Sequence, residues 1–269
     1  LQVFSINVAD IDSDPYLLNC ANGTLDLRTM ELRDHDPADR ITKITRAAYD
    51  PHATGPAWST SLAMALPDED VRNYLRRVIG VALLGMVIEH NLVILTGEGG
   101  NGKGTFYKAV IFALGDYGDM ADPQLFMARK GETSQGEMAL RGQRIVVVTE
   151  SGRDVALDEA RMKRLTGGDI ISGRYLYQKQ ISFNPSHLPL FVTNHLPKVS
   201  GDDEAVWRRL RVVPFDVAIP QPWDKHIDEK LQAEADAILT WAIQGWIDYR
   251  DRSEELDEPQ AVLVRTQKY

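Results

Sequence analysis

Lys103 closes a run made of Gly97, Glu98, Gly99, Gly100, Asn101 and Gly102, and Gly104, Thr105 and Phe106 follow it. These residue types at this spacing suit an anion. Glycines let several backbone N–H groups turn toward one point without Cβ clashes. A helix beginning just beyond adds its positive end, and a lysine adds a mobile cation. The flanks agree. Leu92–Leu95 is a short apolar run fit for a buried strand, and Phe106, Val110, Ile111 and Leu114 recur at helical spacing. Strand, glycine-rich loop and helix in that order form the phosphate-binding P-loop, so residues 97–106 are the expected ATP-binding stretch, with Lys103 serving the β- and γ-phosphates. One position departs from the pattern. The residue after the lysine should carry a hydroxyl for Mg²⁺, but here it is Gly104, which leaves Thr105 or water to supply that ligand.

Two more polar residues stand at the ends of apolar runs. Arg144–Glu150 reads as a β-branched strand ending in an acid, and Pro189–Asn194 as a strand ending in an amide. In open parallel α/β sheets, ligands bind beyond the carboxyl ends of the strands, so these ends can converge on one γ-phosphate. There Glu150 would hold the Mg²⁺ shell or polarise the attacking water, and Asn194 would bond the phosphate or that water. Taken singly, Glu150 is equally a solvated acid and Asn194 a turn residue.

Arg208, Arg209 and Arg211 follow Asp202, Asp203 and Glu204. Such a segment is either a salt-bridged helix face or the source of an arginine finger, a guanidinium that neutralises transition-state charge. Lys163, Arg174 and Lys179 are interleaved with Tyr175 and Tyr177 around a hairpin-like stretch. They are either solvated surface or contacts for a nucleic-acid backbone and its bases.

The elements that must position these groups can be read in order. Residues 1–56 read as extended pieces and turns, with a tight turn at Asn22-Gly23. From Trp58 to Glu89 the spacing is helical, and Pro67-Asp68 divides it into two or three helices. The expected core, residues 91–217, adds a short helix near Gln135–Leu140, a helix over Leu157–Leu165, and a hairpin of Asp169–Leu176 with Gln180–Asn184. A short helix over Asp202–Arg209 and a last strand over Leu210–Phe215 complete it. Residues 218–269 carry a C-terminal helix whose Leu231, Ala235, Ile238, Leu239, Ala242 and Trp246 need a partner surface.

Composition bounds the rest. The chain has 269 residues, 43 % hydrophobic and 26 % charged, which suits one α/β domain with a smaller flanking one. No apolar run is long enough to span a membrane and no secretory signal is present, so the cytoplasm is the expected location. Cys20 is the single cysteine, which excludes an intramolecular disulfide and a cysteine-cluster metal site, and the six histidines are scattered with no pair at zinc-ligand spacing. The net charge of −9 makes any nucleic-acid contact local, a loop or channel lined by a few cations. Leu1 in place of Met suggests a fragment.

GEGGNGKGT at 97–105, a strand ending in Glu150, LTGGD at 165–169, TNHLP at 193–197 and WRRLRVVPF at 207–215 together resemble superfamily 3 helicases. The likeness is to their phage and plasmid branch, similar to the poxvirus-type primase–helicases. LLNCANGTLDL at 17–27 and HDP at 35–37 resemble that branch's upstream region, so the resemblance covers nearly the whole chain. It implies an AAA+ type ATPase core with a helical N-terminal region and C-terminal helices. By the resemblance Lys103 is the Walker A lysine, Glu150 the Walker B acid and Asn194 the sensor. Arg208 or Arg209 is the finger acting on a neighbouring subunit. Lys179, with Arg174 and Tyr177, falls where the family places its pore-hairpin DNA contacts. Many members pair two acids in Walker B, whereas Thr149 precedes Glu150 here.

The resemblance further implies ATP- and Mg²⁺-dependent unwinding by a ring, a homo-hexamer, moving 3′ to 5′ on single-stranded or forked DNA in phage or plasmid replication. A primase domain upstream is expected. Two rival classes stay open: a P-loop kinase of small molecules, and a catalytically weak ring or loader platform.

Overall fold

The computed structural model describes residues 10–128, 134–150, 155–174, 180–199 and 203–269, and leaves the side chains of Ser134, Gln135 and Glu150 undescribed. The chain opens with an antiparallel sheet of β1 (Leu17–Cys20), β2 (Gly23–Asp26) and β3 (Glu31–Arg33). The hairpin turns at Ala21-Asn22, one residue earlier than the expected Asn22-Gly23, because Gly23 already pairs with Cys20. Gly23 is required there by close approach. A Cβ on it would lie 2.5 Å from the Arg33 carbonyl oxygen.

Two helices follow, α1 (Pro56–Ala65) and α2 (Glu69–Val81). Pro56 begins α1, and Asp68 caps α2 by accepting from the Asp70 N–H, which is why the helical pattern divides at Pro67-Asp68. Then come β4 (Leu92–Thr96), α3 (Lys103–Leu114), β5 (Gly118–Ala121), α4 (Ser134–Met138), β6 (Ile145–Glu150) and α5 (Glu159–Thr166). The hairpin is β7 (Ile171–Gly173) with β8 (Ile181–Phe183), antiparallel. Next are β9 (Leu188–Thr193), α6 (Glu204–Trp207) and β10 (Leu210–Pro214). The expected helix over 202–209 shrinks to the single turn of α6, which Asp203 caps and Arg208 ends.

The C-terminal region holds α7 (Ile227–Ala233), α8 (Ala235–Asp251) and α9 (Gln260–Gln267). The sequence shows one helical face across α7 and α8, but the chain breaks at Glu234. Helix α9 is one of the C-terminal helices that the resemblance implies, although no helical face marks it in the sequence. It lies along β10, where the Thr266 hydroxyl accepts from the Val212 N–H and so covers the edge of the sheet.

The main sheet has five parallel strands in the order β10-β4-β9-β6-β5. Its strands alternate between two apolar layers. Val93, Leu95, Ile145, Val147, Leu190, Val192 and Val213 face the helices and N-terminal strands. Leu92, Ile94, Val146, Val148, Phe191, Leu210 and Val212 face α5 and the 125–127 turn. Burial on both sides explains the unbroken apolar runs in the sequence.

The first layer extends from Leu18 to Val262 and joins the N-terminal strands, α1 to α3 and the C-terminal helices in one core. Helices α2 and α8 meet closely, since a Cβ on Gly245 would lie 2.0 Å from the Arg76 carbonyl oxygen. Two buried arginines tie the layers. Arg144 donates to the Pro15 and Leu17 carbonyls, and Arg77 to the Leu256 carbonyl and the Asp248 carboxylate.

Candidate functional site

Strand β9 lies between β4 and β6, so the carboxyl ends of the three strands stand side by side. In register, Thr96 is opposite Thr193, and Thr193 opposite Glu150. Above them opens a cavity of about 550 Å³, lined by Gly99 to Lys108, by Thr149 of β6 and by Thr193 and Asn194 after β9. The fold thus brings together the glycine loop, the residue beside Glu150, and Asn194. Asn194 is exposed, and the bend beneath it is held by Thr193, whose hydroxyl accepts from the His195 N–H.

The loop's shape follows from its glycines. Gly97, Gly100 and Gly102 have φ of 153°, 76° and 85°, which L side chains rarely adopt. Lys103 is the first residue of α3 and is buried. Its ammonium donates to the Gly97 carbonyl (2.6 Å), the Glu98 carbonyl (3.4 Å) and Asn101 Oδ1 (3.0 Å). Burial pushes its pKa below the ordinary lysine value, and the Asp216 carboxylate opposes that shift. Its cation thus rests on its own loop, held by two carbonyls and one amide oxygen. A Cβ at Gly104 would meet nothing within 4 Å, so that position faces open space, and Thr105 lines the cavity beside it.

The far wall is mostly apolar, with Asp224 and Asp228 also lining the cavity. Trp58, Leu62, Met64 and Ala65 of α1 line it, with Ile219, Trp223 and Ile227 from the segment after β10. Trp223 is 55 % exposed, anchored through Nε1 to the Ile219 carbonyl at 3.0 Å. Helix α1 has no side-chain cap of its own at Gly55. Glu234, at the junction of α7 and α8, accepts from the Ala57 and Trp58 N–H groups instead (3.0 and 2.7 Å).

The arginines lie elsewhere. Arg208 and Arg209 precede β10, whose amino end pairs Leu210 with Leu92, and neither lines the cavity. At about 3.3 Å per residue, β10 sets them roughly 13 Å or more from the loop in their own chain. Arg208 is exposed, whereas Arg209 is half-buried and donates to the Ala205 carbonyl. Asp203 bonds neither side chain. Its carboxylate caps α6 and accepts from Lys163 at 2.6 Å, which also occupies a cation that flanks the hairpin. Arg174 is exposed where β7 ends. Tyr177 and Lys179 lie outside the described residues, as do Tyr175 and Asp202.

Among the described residues, no cluster of three or more His, Cys, Asp or Glu could hold a metal, and no helix is long and apolar enough to cross a membrane. A Mg²⁺ site needs no such cluster, because Mg²⁺ keeps several waters and leans on one or two protein oxygens plus phosphate. Among the described residues, Thr105 and Thr149 line the cavity and are hydroxyl-bearing types that suit that donor set.

Residues 2–67 match the family described as D5 N terminal like, and residues 95–209 match a family of unknown function, DUF5906. The chain is 31 % identical over 213 residues to the helicase candidate L207/L206 of Acanthamoeba polyphaga mimivirus, covering 77 % of this chain and 22 % of that protein. It is 29 % identical over 222 residues to the helicase candidate 184R of Invertebrate iridescent virus 6, covering 77 % and 23 %. It is 26 % identical over 215 residues to the primase candidate C962R of African swine fever virus (isolate Tick/Malawi/Lil 20-1/1983), covering 76 % and 22 %. The chain therefore spans under a quarter of the length of these relatives. In fold it is similar to the apo C-terminal region of NrS-1, with a TM-score of 0.63 at 13 % identity over 82 % of this chain and 53 % of that one. Two matched segments, one at the N-terminus and one across the main sheet, thus join this chain to helicase and primase candidates of large DNA viruses.

Proposed function

We propose that the chain is a P-loop ATPase unit of the AAA+ superfamily 3 type, and that it drives DNA unwinding as a ring. The observation that carries the reading is the shared cavity, where the glycine loop, the end of β6 and Asn194 meet. Triphosphate would lie along the loop, with backbone N–H groups from Gly99 to Thr105 and the α3 N-terminus facing it. Lys103 would turn from the Gly97 carbonyl to the β- and γ-phosphates. The nucleobase would rest on the apolar wall of α1 and Trp223, which offers an aromatic face at the distal end.

Thr105 and Glu150 would hold Mg²⁺, which supplies charge neutralisation of the phosphates when bound. Glu150 and Asn194 would orient the attacking water from neighbouring strand ends. Because Arg208 is exposed and remote from its own cavity, it is the better finger for a neighbouring subunit than Arg209. Arg174, Tyr177 and Lys179 would meet single-stranded DNA from the β7–β8 hairpin. The helicase and primase names of the viral relatives support a role in DNA replication.

The test is ATP turnover with and without single-stranded DNA, with and without Mg²⁺. A helicase unit turns over in a Mg²⁺-dependent manner and is stimulated by DNA. A small-molecule kinase responds to an acceptor rather than DNA, and a loader platform does not turn over; either result overturns the proposal.

A further inference from the structure

Asn101 is buried beside Lys103, and the two are exposed by only 4 % and 5 %. Its side chain works in two directions. Oδ1 accepts from the Lys103 ammonium at 3.0 Å, and Nδ2 donates to the Phe215 carbonyl at 2.7 Å. Chemistry fixes that orientation, because the reverse would aim an N–H at the ammonium and an oxygen at a carbonyl.

The Phe215 carbonyl is itself held. The Phe215 N–H continues the β10–β4 ladder to the Thr96 carbonyl at 2.7 Å, and the ring is fully buried. The space around it is full, since a Cβ on Gly97 would lie 2.1 Å from that oxygen and 2.4 Å from Asn101 Nδ2. A second clasp runs from the Ile219 N–H to the Gly100 carbonyl at 2.9 Å. The loop is therefore fastened to the chain leaving β10, and Asn101 carries that fastening to the lysine.

We infer that Asn101 is a positioning residue for Lys103, which holds the ammonium at the mouth of the phosphate site by bonding it to the end of β10. The inference rests on the nucleotide reading of the same loop. A neutral amide suits the task. It orients a flexible four-carbon side chain with one acceptor, yet binds the cation weakly enough to yield it to phosphate. An aspartate would grip the ammonium as an ion pair, set its second oxygen against the Phe215 carbonyl, and place a negative charge where phosphates arrive. An alanine would leave the ammonium only the carbonyls of Gly97 and Glu98.

The experiment is equilibrium binding of ATP and ADP to the full chain, wild type, Asn101→Ala and Asn101→Asp, each with Lys103 present and in the Lys103→Ala background. A thermal melt accompanies every variant. With Lys103 present, Asn101→Ala is expected to weaken ATP binding about tenfold and Asn101→Asp more; with Lys103→Ala the Asn101→Ala loss is expected to shrink to about twofold or less. Equal losses in the two backgrounds would make Asn101 a structural residue of the loop and overturn the inference. A wild-type protein that binds ATP while Asn101→Ala binds it equally well overturns the inference alone. A wild-type protein that binds no nucleotide overturns the reading of the site and the inference with it.

Discussion

The two ends of β10 contrast sharply. At its carboxyl end the chain grips the glycine loop, and the side chains of Lys103 and Asn101 there are bonded within the same chain. At its amino end Arg208 stands exposed, with its own cavity at the opposite end of the sheet. One end is built to be complete in a single copy. The other carries an exposed cation that lies outside its own cavity. If Arg208 serves hydrolysis, it must serve another copy, and assembly is then part of the active site rather than an addition to it.

The largest expected effect breaks or upholds that contrast directly. Arg208→Ala is expected to lower ATP turnover by about 10³-fold, the usual worth of an arginine finger. Lys103→Ala removes the loop's cation and leaves the arginine. Mixed and reassembled, the two inactive variants should regain about a quarter of wild-type turnover if copies meet head to tail at random. If native mass spectra show mixed assemblies and turnover stays absent, the arginine acts within its own chain or not at all. Arg209→Ala is expected to do less to turnover, because its guanidinium already serves the Ala205 carbonyl.

The carboxyl end is tested alone by Lys103→Ala. Turnover is expected to fall about 10²- to 10³-fold, as for loss of other preorganised charge stabilisers, with an unchanged melting temperature. A coincident fall in melting temperature would show that the lysine's bonds to Gly97 and Asn101 support the loop as well as the chemistry.

How much of this contrast can be read from sequence differs between the ends. The loop is a local device. Its glycines, lysine and flanking runs sit within fifteen residues, and the geometry of β4, the turn and α3 follows from them. The three strand ends are legible because burial on both faces demands uninterrupted apolar runs. The cavity wall is not legible, because α1 and the 219–228 segment meet the loop only through tertiary packing. Helix α9 has few buried residues and weak periodicity, so its role as the cover of β10 shows only in the fold. The arginine segment misleads in a different way. Acids beside arginines suggest ion pairs, yet Asp203 turns to Lys163 and to its own helix cap.

The amino ends of the strands offer a smaller, pH-dependent test. His187 directly precedes β9 and is buried, and among the described residues its ring has at most a poorly aligned contact with the Leu165 backbone. Burial pulls its pKa down to about 4, and the nearby Leu165 backbone opposes this only in part. Because the folded state refuses a proton that the unfolded chain takes up, stability is full above pH 6.5 and falls as pH drops toward 4. Between pH 6.5 and 5 the loss is about 2 kcal/mol, a window that lies above most carboxylate titrations. Denaturant titrations of His187→Phe should show a flatter pH profile there. An unchanged slope would mean that His187 is not the group responsible.

The smallest expected effect concerns the wall of the cavity. Glu234 caps α1 from the junction of α7 and α8, accepting from the Ala57 and Trp58 N–H groups through separate carboxylate oxygens. A negative charge at a helix N-terminus is favourable, and here it also fixes the helix that carries Trp58 and Ala65 into the cavity. Glu234→Gln keeps the shape, loses the charge and can accept for only one of the two N–H groups. The cost is about 1 kcal/mol, within the range for a lost helix cap. For a chain of this size that corresponds to a melting temperature lowered by about 2 °C. Because the glycine loop keeps its own bonds to Phe215 and Gly97, ATP affinity should fall only about two- to threefold, through the displaced wall rather than the phosphates. ADP and ATP should lose affinity equally, whereas a defect in the Lys103 cradle would fall mainly on ATP. A loss confined to ATP would therefore place Glu234 in communication with the loop and erase the separation between wall and cradle.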